Sequence, residues 1–172
     1  MRAALLLRHL FAVAVLPFTV AVLAPIWIAR ANDLHPAWGR TPGTLALQAA
    51  GAAVLGAGLV LFAWSLRRFA TEGRGTLAPW DPPRQLVVQG PYRFVRNPMI
   101  SGVVLVLLGE AAFLASRPHA IWALTFVAIN LIYIPLFEES QLAARFGDSY
   151  REYCRHVPRL LPRLRPWSPA TP

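Results

Sequence analysis

Long apolar blocks, separated by short charged segments, constrain the fold of this chain more than any other feature. The 172 residues are 56% hydrophobic and only 15% charged, and the charged residues cluster between the blocks. A soluble domain of this length would interrupt its apolar residues at the period of a strand or a helix. Continuous blocks of roughly 20 residues can instead cross the hydrocarbon core as helices. We therefore predict an all-α integral membrane protein.

The blocks predict about four transmembrane helices. They cover residues 10–29, 45–66, 99–116 and 120–137. The third and fourth blocks are separated by Arg117, Pro118 and His119 alone. So short a link predicts an antiparallel helical hairpin. A cleaved signal peptide is the alternative for the first block, because small residues flank Arg30, but this block is longer than a typical signal.

The arginine distribution predicts the orientation. The chain has no lysine, its 17 basic residues are all arginine, and its net charge is +9. One side of the predicted membrane has only Arg30, Arg40 and Arg117, so both termini and the loop at residues 67–98 should be cytoplasmic. This bias accounts for the net charge, and no nucleic-acid partner is expected. Exclusive use of arginine is typical of GC-rich bacterial genomes, which indicates a bacterial inner (cytoplasmic) membrane.

The organisation predicted for the chain is one transmembrane domain over residues 1–163, followed by a frayed Pro-rich tail over residues 164–172. The loop at residues 67–98 is too apolar for a disordered linker, so we expect it to fold back over the cytoplasmic mouth of the protein. Beyond the fourth block, the helix should continue to Gly147, a natural helix end. A further short cytoplasmic helix should then run to Pro158.

Two groups of charged residues are candidates for a binding site. Glu138 and Glu139 repel each other and face the negative end of a helix dipole, so they call for a compensating cation. That cation is either part of a ligand or a nearby arginine. Arg93 and Arg96 precede the helix that should begin near Pro98, and arginine suits a carboxylate or a phosphate. A bound ligand and a lipid headgroup are the two alternatives there.

The remaining polar residues give weaker signals. Asn97 is a suitable N-cap for the helix near Pro98. Glu110 lies inside the third block, where an acid is costly, but near the far end, where snorkelling competes with a functional role. The four histidines lack metal-ligand spacing, so no metal is expected. Cys154 is the single cysteine, which excludes an intrachain disulfide.

A set of motifs in a fixed order resembles a known family. The motifs are Gly90-Pro91-Tyr92-Arg93-x-x-Arg96-Asn97-Pro98-x-x-x-Gly102, the Glu138-Glu139 pair, and Phe146-Gly147-x-x-Tyr150-x-x-Tyr153-x-x-x-Val157-Pro158. They resemble the membrane methyltransferases that include isoprenylcysteine carboxyl methyltransferases and phospholipid N-methyltransferases. The resemblance covers roughly residues 55–162, the expected catalytic region. Gly56-Ala57-Gly58 also resembles the Gly-x-Gly that phospholipid methyltransferases place in a membrane helix.

The resemblance implies a cofactor and an activity. S-adenosylmethionine would bind at the cytoplasmic side, and its methyl group would pass to a lipophilic or membrane-associated carboxylate, amine or thiol. Arg96 and Glu139 are implied to be catalytic, with Arg96 holding the cofactor carboxylate. The residues implied to bind the cofactor are Tyr92, Arg93, Arg96, Asn97, Pro98, Gly102, Glu138, Glu139, Tyr150 and Tyr153. Membrane lipids are the expected surroundings, and no obligate protein partner is inferred.

The chain departs from the family pattern at two positions, and other functions compete. The family often has His where this chain has Asn97, and Tyr where it has Ile100. A membrane reductase of the sterol-reductase type, using NADPH, has similar C-terminal motifs but is usually larger, with an Arg-Asp pair in place of Glu138-Glu139. A small transporter would need an acid near the bilayer centre. A non-enzymatic membrane adaptor with a decayed pocket is the third alternative.

Overall fold

A computed structural model of the chain describes residues 14–34, 39, 41–73 and 85–168, with side chains from residue 17 onwards. The predicted start of the first block, the loop residues 74–84 and the terminal residues 169–172 lie outside the described residues. Regular structure is helical throughout the described ranges, and no strand occurs in them. The all-α prediction is therefore confirmed.

The helices follow one another with short connections. They are α1 Ala24–Ala31, α2 Pro42–Glu72, α3 Pro98–Phe113, α4 Arg117–Tyr133 and α5 Glu139–His156. Two π-helical segments, Ala14–Leu23 and Ile134–Glu138, precede α1 and α5, and a 3₁₀ turn forms at Gly90–Arg93. Helix α3 begins at Pro98, as predicted.

Two helical stretches are long and apolar enough to cross a membrane. They are Pro42–Glu72 and Arg117–His156, each with a mean hydropathy of 2.0 in its most apolar stretch. Shorter apolar helices cover Pro17–Ala31 and Pro98–Phe113. Only 17% and 11% of the two apolar stretches are buried, so most of their side chains face outward, as lipid-facing side chains do. These surfaces are those of a membrane protein, while the count of four crossings stays a prediction.

The chain divides into two compact units, Met1–Val60 with Gly102–Ala128, and Leu61–Ser101 with Ile129–Pro172. In the first unit, glycines let α2 and α3 approach backbone to backbone. A Cβ atom on Gly109 would lie 2.5 Å from the backbone nitrogen of Leu55, and one on Gly58 would lie 2.7 Å from that of Val106. Such contacts require glycine. Gly56 has nothing within 4 Å of the same built position.

Gly109→Ala should destabilise the protein, because the added methyl group must push two helix backbones apart. Overpacking of this kind costs about 1–3 kcal/mol. Gly56→Ala is the matched control, and alanine's better helix propensity should leave its stability equal or higher. The measurement is the apparent thermal unfolding temperature of both variants in one detergent at one scan rate. Equal unfolding temperatures would show that the close approach does not exist.

The hairpin turn lies earlier than predicted. Helix α3 ends at Phe113, and α4 begins at Arg117 after a turn in which Ala115 has a φ of 46°. Residues 117–119 therefore form the first turn of α4 and not the link. The reason is a capping signal, because the backbone amide of His119 donates to Ser116 Oγ at 3.4 Å, and proline is favoured in a first helical turn. The short link of the predicted hairpin is present, three residues displaced.

His119 has a structural role in the first unit. Its side chain is 2% exposed, with Nδ1 2.8 Å from Ser116 Oγ and Nε2 3.2 Å from the carbonyl oxygen of Pro25. Nε2 thus holds α4 to α1, while Nδ1 contacts the residue that caps the start of α4. Within the described ranges, no group of three or more His, Cys, Asp or Glu side chains is placed to hold a metal ion.

The second unit is built around the C-terminal helix. Gly147 interrupts α5 with φ 56° and ψ −129°, a left-handed conformation that glycine adopts readily, so the helix bends where its end was predicted. Beyond the bend, Tyr150, Tyr153 and Val157 are buried together. Residues of the preceding loop pack against this cluster, namely Leu86 and Val88. The described part of the loop therefore packs against the C-terminal helix, while its place over the cytoplasmic mouth stays a prediction.

Candidate active site

The polar site begins where an apolar helix ends. Pro135 lies in the π-helical segment Ile134–Glu138, and a proline removes one backbone donor from a helix, which favours a wider turn. Phe137 is the last apolar residue of the run and is 53% exposed. The carboxylates Glu138 and Glu139 follow at once. The π turn changes the direction in which these carboxylates leave the helix, relative to a regular α-helix.

Glu139 is held by two arginines. Arg159 Nε donates to Glu139 Oε1 and Arg159 Nη2 to Oε2, both at 2.7 Å, which is a bidentate pair. Arg96 Nη1 lies 3.2 Å from Glu139 Oε1. The side chains of Arg96, Glu139 and Arg159 are 12%, 16% and 33% exposed, so the cluster is largely shielded from water. Hydrogen bonding to Glu139 raises the pKa of Arg159 above its ordinary value.

Arg96 retains capacity for a ligand. Its Nη1 also donates to Cys154 Sγ at 2.7 Å, and its backbone amide donates to the carbonyl oxygen of Pro158 at 2.9 Å. Its Nε, however, is buried and has no hydrogen-bond partner among the described residues. A guanidinium carries five N–H donors, and a buried donor without an acceptor is costly. The unpaired Nε therefore calls for an acceptor that this part of the chain does not supply.

Tyr92 presents a second unpaired polar atom. Tyr92 is 7% exposed, and its buried hydroxyl lacks a partner within the described ranges. Its backbone is fixed, since Tyr153 Oη donates to the Tyr92 carbonyl oxygen at 2.6 Å. Burial raises the pKa of Tyr92 well above its ordinary value, and Tyr153, Glu138 and Glu72 raise it further. The negative charges of Glu138 and Glu72 thus act on the Tyr92 hydroxyl.

The two adjacent glutamates differ in their surroundings. Glu139 forms ion pairs with Arg96 and Arg159. Glu138, in contrast, makes no hydrogen bond or ion pair with any residue that the structure describes. Glu138 is half-buried. The compensating cation left open by the sequence is therefore an arginine for Glu139. For Glu138, the described residues supply no compensating cation.

Arg93 is directed to the C-terminal tail. Its Nε donates to the carbonyl oxygen of Trp167 at 2.7 Å, its Nη2 donates to Ser168 Oγ, and its own carbonyl oxygen accepts from the Trp167 amide at 3.0 Å. The Trp167 ring stacks 5.3 Å from His156 and lies 5.8 Å from Tyr153. The expectation of a tail frayed after residue 163 is wrong for Trp167 and Ser168. The arginine and the aromatic cluster hold both.

Most of the predicted site residues lie in the second unit. Tyr153 contacts the Tyr92 backbone, Arg96 pairs with Glu139, and Tyr150 packs beside Tyr153 with ring centroids 6.2 Å apart. Other predicted residues have structural positions. Pro98 is fully buried at the start of α3, the carbonyl oxygen of Asn97 accepts from the Ser101 amide at 3.0 Å, and Gly102 lies in the first unit against Gly58.

Sequence reasoning missed three residues that contact the predicted site residues: Cys154 beside Arg96, Arg159 on Glu139 and Trp167 beside Tyr153. Arg159 follows the Val157-Pro158 motif directly and was the nearest signal, but its pairing with Glu139 is not a local pattern. Glu110, which the sequence left between two interpretations, belongs to the first unit, and its Oε2 is buried without a partner in the described ranges.

This fold and site define a class, a helical membrane protein with an Arg–Glu–Arg cluster and buried tyrosines at the end of an apolar helix. Residues 47–149 match the phospholipid methyltransferase family. The match covers more than half of the chain, so the chain belongs to this family. The membrane methyltransferase resemblance of the motifs is thereby confirmed.

Three curated relatives carry methyltransferase names. The chain is 40% identical to methanethiol S-methyltransferase 2 of Bradyrhizobium diazoefficiens over 73 residues, which is 42% of this chain and 27% of the relative. It is 36% identical to methanethiol S-methyltransferase of Pseudomonas deceptionensis over 77 residues, 43% and 27% of the two chains. It is 37% identical to methanethiol S-methyltransferase of Mycobacterium tuberculosis over 71 residues, which is 41% of this chain and 28% of the relative. The matched stretch thus spans about a quarter of each relative's length.

Proposed function

We propose that this chain transfers a methyl group from S-adenosylmethionine to a membrane-associated acceptor. The observation that carries the proposal is a set of polar groups in the second unit that have no partner among the described residues. They are the buried Arg96 Nε and Tyr92 Oη, and the carboxylate of Glu138, whose charge acts on Tyr92. A ligand with both an anionic and a cationic end satisfies such a set. S-adenosylmethionine has a carboxylate, an ammonium and a sulfonium, and the family to which the chain belongs supports it.

The residues divide the work of holding this cofactor. Arg96 Nε is the donor for its carboxylate, and Glu138 the acceptor for its ammonium or ribose hydroxyls. Faces of the buried tyrosines tolerate a sulfonium by cation–π attraction. When bound, the cofactor supplies an electrophilic methyl group. Glu139 and Arg159 fix the Arg96 guanidinium, and Tyr153 fixes the Tyr92 backbone, so the chain supplies alignment and exclusion of water.

The acceptor that fits best is a thiol, within the wider class of lipophilic carboxylates, amines and thiols. The names of the three relatives favour a thiol. A thiolate is already anionic, so its methylation requires no general base in the site. The test supplies labelled adenosylmethionine with methanethiol, a hydrophobic thiol or a bacterial lipid extract. Label in the lipid fraction alone would exclude the thiol.

Binding of the cofactor tests the proposal, and Glu138→Gln is the decisive variant. Loss of one charge-assisted hydrogen bond costs about 1.5–3 kcal/mol, so adenosylmethionine should bind about tenfold more weakly or worse. Calorimetric titration of purified protein measures this, with NADPH as the competing ligand. Glu152→Gln, an exposed glutamate of α5, is the matched control and should bind as the wild type does. Binding of NADPH in place of adenosylmethionine would favour the reductase.

For topology, we propose four crossings with cytoplasmic termini in a bacterial inner membrane. The arginine bias and the four apolar helices support this arrangement. A reporter fused within residues 35–38 and a second fused to the C-terminus should report opposite sides of the membrane. Two fusions reporting the same side would rule out four crossings.

A further inference from the structure

The segment after α5, residues 158–165, has exposed leucines although backbone hydrogen bonds hold it against another part of the chain. Leu161 and Leu164 are 81% and 98% exposed, more than any other large hydrophobic side chain in the described ranges. Arg159, Arg163 and Arg165 alternate with these leucines. Exposed leucines in a tail without contacts would not indicate a binding surface. Here backbone hydrogen bonds fix the chain on both sides of them.

Three contacts hold the segment beside the loop that precedes α3. The Arg96 amide donates to the Pro158 carbonyl oxygen at 2.9 Å, the Arg163 amide donates to the Phe94 carbonyl oxygen at 3.0 Å, and the Trp167 amide donates to the Arg93 carbonyl oxygen at 3.0 Å. The segment therefore runs back along the residues just before Pro98. These residues lie where the apolar helix α3 begins.

A fourth contact holds the segment to the end of another apolar helix. The bidentate pair from Arg159 to Glu139 lies two residues beyond Phe137, where the apolar run ends. An extended chain advances by at most about 3.6 Å per residue. Leu161 is therefore within about 7 Å of Arg159 along the chain, and Leu164 within about 18 Å. Both leucines are therefore only a few residues from the point where an apolar run ends at Phe137 and Arg159 pairs with Glu139.

The arginines of the segment indicate which kind of surface it can bind. Arg159 is neutralised by Glu139, whereas Arg163 and Arg165 have no carboxylate partner in the part of the chain that the structure describes. Arg163 Nη1 donates to the carbonyl oxygen of His156 at 2.8 Å, which leaves its charge unneutralised. Exposed leucines beside unneutralised arginines are the composition of segments that lie in the interface of an anionic bilayer.

We propose that residues 160–165 bind the anionic headgroups of the surrounding bilayer, with Leu161 and Leu164 inserted at the boundary between headgroups and acyl chains. Arg163 and Arg165 contact lipid phosphates. This surface is separate from the cofactor site and does not depend on the proposed activity. It fixes the height of the C-terminal segment relative to the membrane.

The test places an environment-sensitive fluorophore at Leu164→Cys in nanodiscs that hold one copy of the full chain. The discs contain either zwitterionic lipid or a mixture with phosphatidylglycerol. In the anionic discs, quenching by aqueous iodide should be severalfold weaker than for a label at Glu152→Cys, and shallow nitroxide lipids should quench the label. Wild-type chain taken through the same labelling corrects for Cys154.

Arg163→Gln/Arg165→Gln in the labelled chain should remove the difference between the two lipid mixtures. Iodide quenching equal to that at residue 152 in both discs would overturn the proposal. Equal protection in both lipids would overturn it too, because anionic headgroups would then have no role. Protection that appears only in discs with two copies would also overturn it, and would assign the leucines to a second copy of the chain.

Discussion

Glu139→Gln is expected to destabilise the protein by about 2–4 kcal/mol, because it removes the carboxylate that pairs with the two partly buried guanidinium groups of Arg96 and Arg159. The amide that replaces it can accept a hydrogen bond but cannot neutralise either charge. For a chain of this size, such a loss corresponds to a fall of about 5–15 °C in unfolding temperature. The measurement is the apparent unfolding temperature in detergent at a fixed scan rate.

Glu152→Gln provides the comparison, since it removes an exposed carboxylate from the same helix. A double-mutant cycle with Arg159→Gln isolates the pair, and a coupling of about 1 kcal/mol or more is expected for a shielded bidentate contact. If Glu139→Gln and Glu152→Gln have the same unfolding temperature, the bidentate pair does not stabilise the fold. Glu139 would then be free to contact the cofactor, as the family resemblance implies.

Local signals in the sequence located the helices well. Pro98 marked the start of α3, and Gly147 marked the bend in α5, because each residue restricts or frees its own backbone irrespective of distant contacts. The turn before α4 was misplaced by three residues, although the cap at Ser116 was readable. Pro135 is a further local signal, since a proline at this position favours the irregular helix that precedes the glutamates.

Partners distant in sequence could not be read in this way. The pair of acids was recognised, but nothing local distinguishes Glu138 from Glu139. Glu139 is paired and Glu138 is not because Arg159, 20 residues further along the chain, donates to Glu139. The docking of Trp167 on Arg93, 74 residues away, has the same origin. Composition predicted a frayed tail there. The stacked Trp167 ring, one backbone hydrogen bond to Arg93 and one from the Arg93 side chain hold the tail in place instead.

Arg96→Lys separates the binding role of this arginine from its structural one. Lysine keeps the charge and can pair with Glu139, as Arg96 Nη1 does at 3.2 Å. It has no counterpart of the buried Nε and no planar fork. We therefore expect stability close to that of the wild type. Adenosylmethionine binding should weaken about a hundredfold, equivalent to about 2.7 kcal/mol, nearly as much as in Arg96→Ala.

The comparison with Arg96→Ala distinguishes a cofactor-binding role of Arg96 from a structural one. Arg96→Ala should lose both binding and stability, because it also removes the contacts to Glu139 and Cys154. Arg151→Lys, with a side chain 65% exposed, is the control for lysine itself and should change neither quantity. Titration and thermal unfolding in one detergent measure both properties on the same samples. Wild-type affinity in Arg96→Lys would mean that the guanidinium only organises the fold, since an ammonium on Glu139 would serve equally well. The buried Nε would then need an acceptor other than the cofactor.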